Sequence, residues 1–205
     1  MTSVPKTAAR QTAAIILTAG ESRRMGRVKA YLPFRNGTFL SVLADTFSPF
    51  CHPVLAVFGY DGENLASQAP AQVLTTINTD YQFGMLTSLQ AGLRALPTID
   101  RVLFTLVDHP AVSPETLHAL LASDAAIAIP RVNGKRGHPV LINAEIARQF
   151  LQEPIFAKVR DTIDRNAALI RYIDVEDTSI HDDIDDPALY QALLAREAAL
   201  REVQQ

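Results

Sequence analysis

The stretch "AAIILTAGESRRMGRVKAYLPF", which begins at Ala13, carries an apolar run straight into a glycine and then a cluster of cations. Gly20 and Gly26 bracket Glu-Ser-Arg-Arg-Met, and Lys29 stands three residues further on. Glycines let backbone amides come close to an anion, and Arg23, Arg24, Arg27 and Lys29 supply charge of the kind a triphosphate needs. The spacing reads as a phosphate cradle, although a strand-to-helix turn with solvated arginines has the same composition. Two common cradles do not fit. A Walker loop needs lysine directly after its second glycine, where Arg27 stands; a dinucleotide fingerprint needs glycine at position 22, where Ser22 stands.

A second chemistry-bearing position is Asp108, which follows "RVLFTLV" and is therefore delivered to the end of a strand. Ser113, Pro114 and Glu115 already provide the N-cap, the first-turn proline and the favourable acid of the next helix, which leaves Asp108 free for other work. Magnesium takes carboxylate oxygens and keeps room for water and phosphate, so one or two aspartates beside a triphosphate suffice. Asp185 in "DDIDDP" is the natural second one, while the same segment also reads as a solvated acidic turn before a helix. Gly84, Met85, Leu86, Thr87 and Ser88 lie between a strand pattern and a helix pattern. A glycine and small hydroxyls beside free helix-start amides suit a flat base and its ribose.

Positioning these residues requires a sheet. Short apolar runs at Ala13–Leu17, Val54–Phe58, Val73–Ile77, Val102–Val107 and Ala125–Ile129 read as strands buried on both faces. Helical spacing recurs between them, in Phe39 to Phe47, Leu86 to Leu96 and Leu117 to Leu121. Such alternation predicts an α/β fold with three layers, α/β/α, built on a mainly parallel, Rossmann-like sheet. Ligands of open parallel sheets sit beyond the carboxyl ends of the strands, which is where the cradle and Asp108 fall. After Pro130 the pattern gives a loop and strand over Arg131–Ile142, helices over Glu145–Phe150 and Phe156–Asn166, a late strand at Leu169–Val175 and a closing helix, Pro187–Val203.

The 205 residues favour one domain, residues 13–205, behind a flexible tail of residues 1–12. A composition 48% hydrophobic and 20% charged belongs to a soluble globular chain. A net charge of −3 argues against a nucleic-acid partner held by general phosphate neutralisation, so any bound anion must be met by local charge. No apolar stretch approaches the roughly 20 residues of a membrane span, so no membrane partner is expected. The single cysteine, Cys51, allows no internal disulfide and fits a reducing cytoplasm.

"LTAGESRRMGRVK" resembles the L-x-A-G-x-x-x-R-M/F-G-x-x-K signature of nucleotidyltransferases with the nucleotide-diphospho-sugar transferase fold. Within that group the chain is most similar to molybdenum cofactor cytidylyltransferases and related molybdopterin-nucleotide transferases. "NTDYQFGMLTSLQAGL" resembles their nucleotide-recognition segment, "LVDHP" their metal-binding D-x-P, "NGKRGHPVLI" their G-x-R-G-x-P-V segment and "DIDDP" their D-I-D-T-P. All five occur in the family's order.

The resemblance implies transfer of a nucleoside monophosphate to a phosphorylated acceptor, with release of pyrophosphate. It implies that Leu17, Ala19, Gly20, Gly26, Asn78, Gly84, Met85 and Ser88 bind the nucleotide. Arg24 and Lys29 then serve the phosphates, and Asp108 and Asp185 hold Mg²⁺. His109, Gly137, His138 and Pro139 are implied to face the acceptor. Ala19 in "TAG" points to CTP, with GTP as the alternative. The implied acceptor is molybdopterin, and the product would pass to a molybdoenzyme. Two departures bear on this: Asp186 replaces the threonine of D-I-D-T-P, and "QEPIFAKVRD" stands where the family commonly has G-D-x-G-A-R, a segment involved with the acceptor.

Three other readings share parts of the pattern. A sugar phosphate, polyol phosphate or other small alcohol could be the acceptor on the same fold. A nicotinamide-dependent oxidoreductase needs an acid about 20 positions beyond the glycines, where Glu21 is too early and Asp61 too late. A non-catalytic nucleotide-binding module or cofactor chaperone would not need both Lys29 and Asp108.

Overall fold

A computed structural model describes residues 10–203. Its strands are β1 (Thr12–Leu17), β2 (Pro33–Phe34), β3 (Gly37–Thr38), β4 (Val54–Phe58), β5 (Leu74–Ile77), β6 (Arg101–Leu106), β7 (Ile127–Val132), β8 (Lys135–Arg136), β9 (Val140–Asn143) and β10 (Ile170–Asp174). Its helices are α1 (Phe39–Phe47), α2 (Gly62–Ala66), α3 (Met85–Ala95), α4 (Pro114–Leu121), α5 (Ala144–Gln152), α6 (Val159–Arg165) and α7 (Pro187–Val203). The main sheet runs β10-β7-β9-β6-β1-β4-β5, with β8 paired to β7. β1 lies parallel between β4 and β6, whereas β9 runs antiparallel to both β6 and β7.

The two faces of β1 follow its period of two. Ala14 and Ile16 point into a cluster with Phe39, Leu43 and Phe47 of α1 and Leu117 of α4, while Ile15 and Leu17 point into a second with Leu86 and Leu89 of α3 and Phe150 of α5. Each fully buried phenylalanine or leucine contributes roughly 1.5–3 kcal/mol. The expected three-layer, mainly parallel architecture is what the chain forms. Local signals set the helix starts. Thr38 and Ser41 form a capping box for α1, the Ser113 side chain accepts from the Thr116 amide at the start of α4, and Asn143 caps α5.

Some expectations change, and the helix expected over Phe156–Asn166 begins only at Val159. Val73–Ile77 was expected to be buried on both faces, but β5 is an edge strand with Leu74 half exposed, because only β4 pairs with it. The fifth run starts later and extends to Val132, since Arg131 and Val132 pair with β8. The short helix α2 carries too few apolar residues to show periodicity. The expected flexible tail lies outside the described residues up to position 9; beyond it, Arg10 pairs with Asp124, the Gln11 amide donates to Asp100, and Thr12 opens β1.

Candidate active site

The carboxyl ends of β1 and β6 form the floor of a cleft of about 370 Å³. Leu17, Thr18, Ala19, Gly20, Ser22, Arg23, Arg24 and Lys29 line one side; Tyr81, Gly84, Met85 and Ser88 line another; Leu106, Val107, Asp108 and Asp185 complete it. Parallel pairing of β1 with β6 makes this possible, because register Leu17 to Leu106 brings the two post-strand segments side by side. The segment around Asp185 comes from far along the chain. It is fixed there by a backbone bond from the Ile184 amide to the Asp108 carbonyl, 3.2 Å, with Ile184 buried.

Charge is concentrated at one end of the cleft. Lys29 Nζ donates to Asp108 Oδ2 at 2.9 Å and also to Asp185, which accepts from Arg24 as well. The Lys29 amide is held by Ser22 Oγ at 3.2 Å, so the loop that carries the cations is itself braced. Burial works against the Lys29 ammonium, but Asp108 and Asp185 hold its pKa above the ordinary lysine value. Burial likewise opposes the Asp185 carboxylate, and Lys29 with Arg24 outweighs it, leaving its pKa below the usual range.

Asp183 is a third acid that sequence reasoning passed over. Ligand oxygens of Asp108, Asp183 and Asp185 lie within 4.8 Å of one another. Burial and the charges of Asp108 and Asp185 raise the pKa of Asp183, a repulsion that a divalent cation would relieve. Asp108 Oδ1 is buried and has no hydrogen-bond partner among the described residues. An all-oxygen donor set with a spare carboxylate oxygen fits a hard cation such as Mg²⁺. The available signal was spacing: in an extended segment, positions 183 and 185 project to one side.

Across the cleft, Gly84 takes φ 109° immediately before α3, a conformation that leaves the first amides of the helix open and that a side chain would strain. Met85 and Ser88 face the cleft from this helix start. Asn78 does not line the cleft. It is buried and donates at 2.9 Å to both Thr87 Oγ1 and Ser88 Oγ, so it orients the helix start from beneath. Gly26 also stands outside the cleft wall, closing the loop through its amide to the Ser22 carbonyl.

The residues expected to face an acceptor lie behind Asp108 and do not line the cleft. His109 is buried with Nε2 3.7 Å from Asp108 Oδ1, and its ring is 4.8 Å from that of His138. Burial lowers the pKa of each to about 4; Lys29 adds to this at His109, and His109 at His138. Both rings are therefore neutral near pH 7. Gly137 is a close-approach position, since a Cβ there would lie 2.3 Å from the Ile180 carbonyl oxygen. Pro139 is buried immediately before β9.

With this geometry, the comparisons with known proteins are decisive at the family level. The model of the MobA-like NTP transferase domain matches residues 14–169. The chain belongs to this family. The MobA-like protein is 33% identical to the molybdenum cofactor cytidylyltransferase of Escherichia coli over 177 residues, which cover 84% of this chain and 90% of that one. It is also 31% identical to the nicotine blue oxidoreductase of Paenarthrobacter nicotinovorans, over 83% of this chain and 90% of that one. A crystal structure of a Mycobacterium tuberculosis H37Rv protein shares the fold with a TM-score of 0.79 at 21% identity, covering 92% of this chain and 100% of that one. The MobA-like chain is thus a nucleotidyltransferase of that type. Among its described residues, no helix is long and apolar enough to cross a membrane.

Proposed function

We propose that this protein transfers CMP from CTP to the phosphate of molybdopterin, releasing pyrophosphate. One observation carries the reading: the cationic loop at Arg24 and Lys29 meets the carboxylates of Asp108, Asp183 and Asp185 at one end of a cleft. The other side of that cleft offers the open helix start at Gly84, Met85 and Ser88 to a base and ribose.

Asp108 and Asp185, with Asp183 beside them, would hold Mg²⁺, which when bound neutralises charge on the triphosphate. Arg24 is assigned to the β and γ phosphates and Lys29 to the α phosphate. An oxygen of the acceptor phosphate attacks the α phosphorus in line as the bond to the β-phosphate bridging oxygen breaks. Negative charge builds on the α phosphate and the leaving group, the places assigned to Lys29 and Arg24, so catalysis rests on position and electrostatics. A phosphate acceptor is already largely ionised near pH 7 and needs no general base. Neutral His109, which is buried, and neutral His138 beside it support the Asp108 segment in this scheme and transfer no proton.

CTP is favoured over GTP by the similarity to the cytidylyltransferase and by Ala19 at the cleft wall. A thermal-shift series with CTP, GTP, ATP and UTP, with and without Mg²⁺, tests it. A metal-dependent rise with CTP alone is expected, and an equal response to all four would sink the base assignment. Pyrophosphate release with molybdopterin, compared with sugar and polyol phosphates, tests the acceptor.

The oxidoreductase relative gives a second reading, hydride transfer with a nicotinamide nucleotide in the same cleft. Clustered carboxylates and a paired lysine have no part in such chemistry. Quenching or enhancement of NADH or NADPH fluorescence, with no metal-dependent response to CTP, would favour it.

A further inference from the structure

Among the described residues, Phe156 is the most exposed of the large apolar side chains, at 74%, and it lies in the segment where the family's common G-D-x-G-A-R is replaced. Its ring packs edge-to-face on Phe83, centroids 5.3 Å apart and planes at 90°. Phe83, itself 39% exposed, immediately precedes the Gly84 and Met85 that line the cleft. An aromatic lip therefore continues the cleft wall outward.

Topology puts the lip at the sheet edge where the cleft opens. β9 runs opposite to β6, so α5, which follows it, climbs back toward the carboxyl ends of the parallel strands and finishes beside the start of α3. Gln90 of α3, buried to 2% exposure, donates at 2.8 Å to the carbonyls of both Phe150 and Glu153 and anchors the end of α5 just before the Ile155-Phe156 turn. Below it, Phe150 packs on Phe104, Phe104 on His138 and His138 on His109, the neighbour of Asp108. The lip is thus a built feature held by a buried side chain, over the strands that deliver the reacting end of the cleft.

An exposed phenylalanine buries little of its own surface, and its open face is a platform for a flat conjugated ring. We infer that Phe156, supported by Phe83, binds the planar ring of the acceptor by stacking and so selects a fused-ring acceptor over a sugar or polyol phosphate. This deepens the proposed reaction and rests on it.

The test uses the full chain and neopterin monophosphate, a fluorescent flat ring carrying a phosphate, titrated against the parent, F156A, F156L and F156Y. Quenching by the parent is expected, with Kd weakened by about tenfold or more in F156A and F156L and kept within about threefold in F156Y. Equal affinity across the series, or no binding to the parent, overturns the inference. So does size-exclusion chromatography in which F156A turns a dimer into a monomer, for the lip would then cover a second copy. Melting shifts with CTP and Mg²⁺ separate the two levels. If all variants respond to CTP and none depends on Phe156 for the pterin, the lip fails and the transferase reading stands; pterin binding through Phe156 without any nucleotide response reverses that outcome.

Discussion

Lys29 Nζ lies 2.9 Å from Asp108 Oδ2, although 79 positions separate the two residues. Strand pairing brings them together: β1 and β6 are parallel neighbours, and each residue belongs to the segment that leaves its strand at the same sheet edge. Replacing Lys29 with alanine removes the cation placed for the α phosphate. Turnover should fall about 10²–10³-fold, as for loss of one preorganised donor, with the far-ultraviolet spectrum unchanged. Pyrophosphate release measures it, and activity equal to the parent would remove Lys29 from the mechanism.

The same pair governs metal affinity. Lys29 and Arg24 already neutralise Asp108 and Asp185, so a divalent ion alone must compete with two tethered cations. Triphosphate offers those cations another partner and brings ligands of its own. Mn²⁺ followed by electron paramagnetic resonance should bind weakly without nucleotide and at least about tenfold more tightly with CTP. Lys29→Gln should strengthen binding of Mn²⁺ alone. Tight binding to the free parent protein would show that the ion pairs do not guard the carboxylates.

Gly84 tests the helix start. At φ 109° an alanine pays strain of about 1–3 kcal/mol, while no atom crowds the position of its Cβ. Gly84→Ala should therefore lower the urea midpoint and raise the KM for nucleotide, because relief of strain moves the amides of Met85 and its neighbours. A changed midpoint with an unchanged KM would separate the glycine from nucleotide binding.

Much of this architecture is legible in the chain. Apolar runs with helix-length connections define the central parallel strands, and the cradle and Asp108 fall beyond their ends. The spacing of Asp183 and Asp185 could put both on one side of an extended segment, but an acidic turn looks alike whether solvated or packed, and only the bond from Ile184 to the Asp108 carbonyl sets them beside Asp108. His109 and His138 show the opposite limit. Their motifs suggest contact with a substrate, but burial depends on what packs over them, here Ile180 and Phe104, and local sequence does not encode that. Asn78, which lies beneath the helix start and not on the cleft wall, meets the same limit: a polar residue after a strand can serve the ligand or the helix that serves it.

Asp177 tests the scaffold around the acidic segment. Its carboxylate accepts from the Ser113 amide at 2.8 Å, Thr116 Oγ1 at 2.9 Å, the Ser179 amide at 3.0 Å and the Ser179 hydroxyl, which ties the start of α4 to the turn leading to Asp183 and Asp185. Burial alone would raise its pKa, but these bonds outweigh burial and the pKa is lowered. A depressed carboxylate contributes stability that is fully present above the unfolded pKa, near 3.8, and is lost as pH falls through the folded value. Asp177→Asn should cost about 1–3 kcal/mol at pH 7, the range for a charged acceptor with several donors. The gap between the two proteins in urea unfolding should stay constant from pH 7 to about pH 5 and narrow below about pH 4. A gap that is independent of pH down to pH 2.5 would mean that the side chain acts through shape and not through its charge.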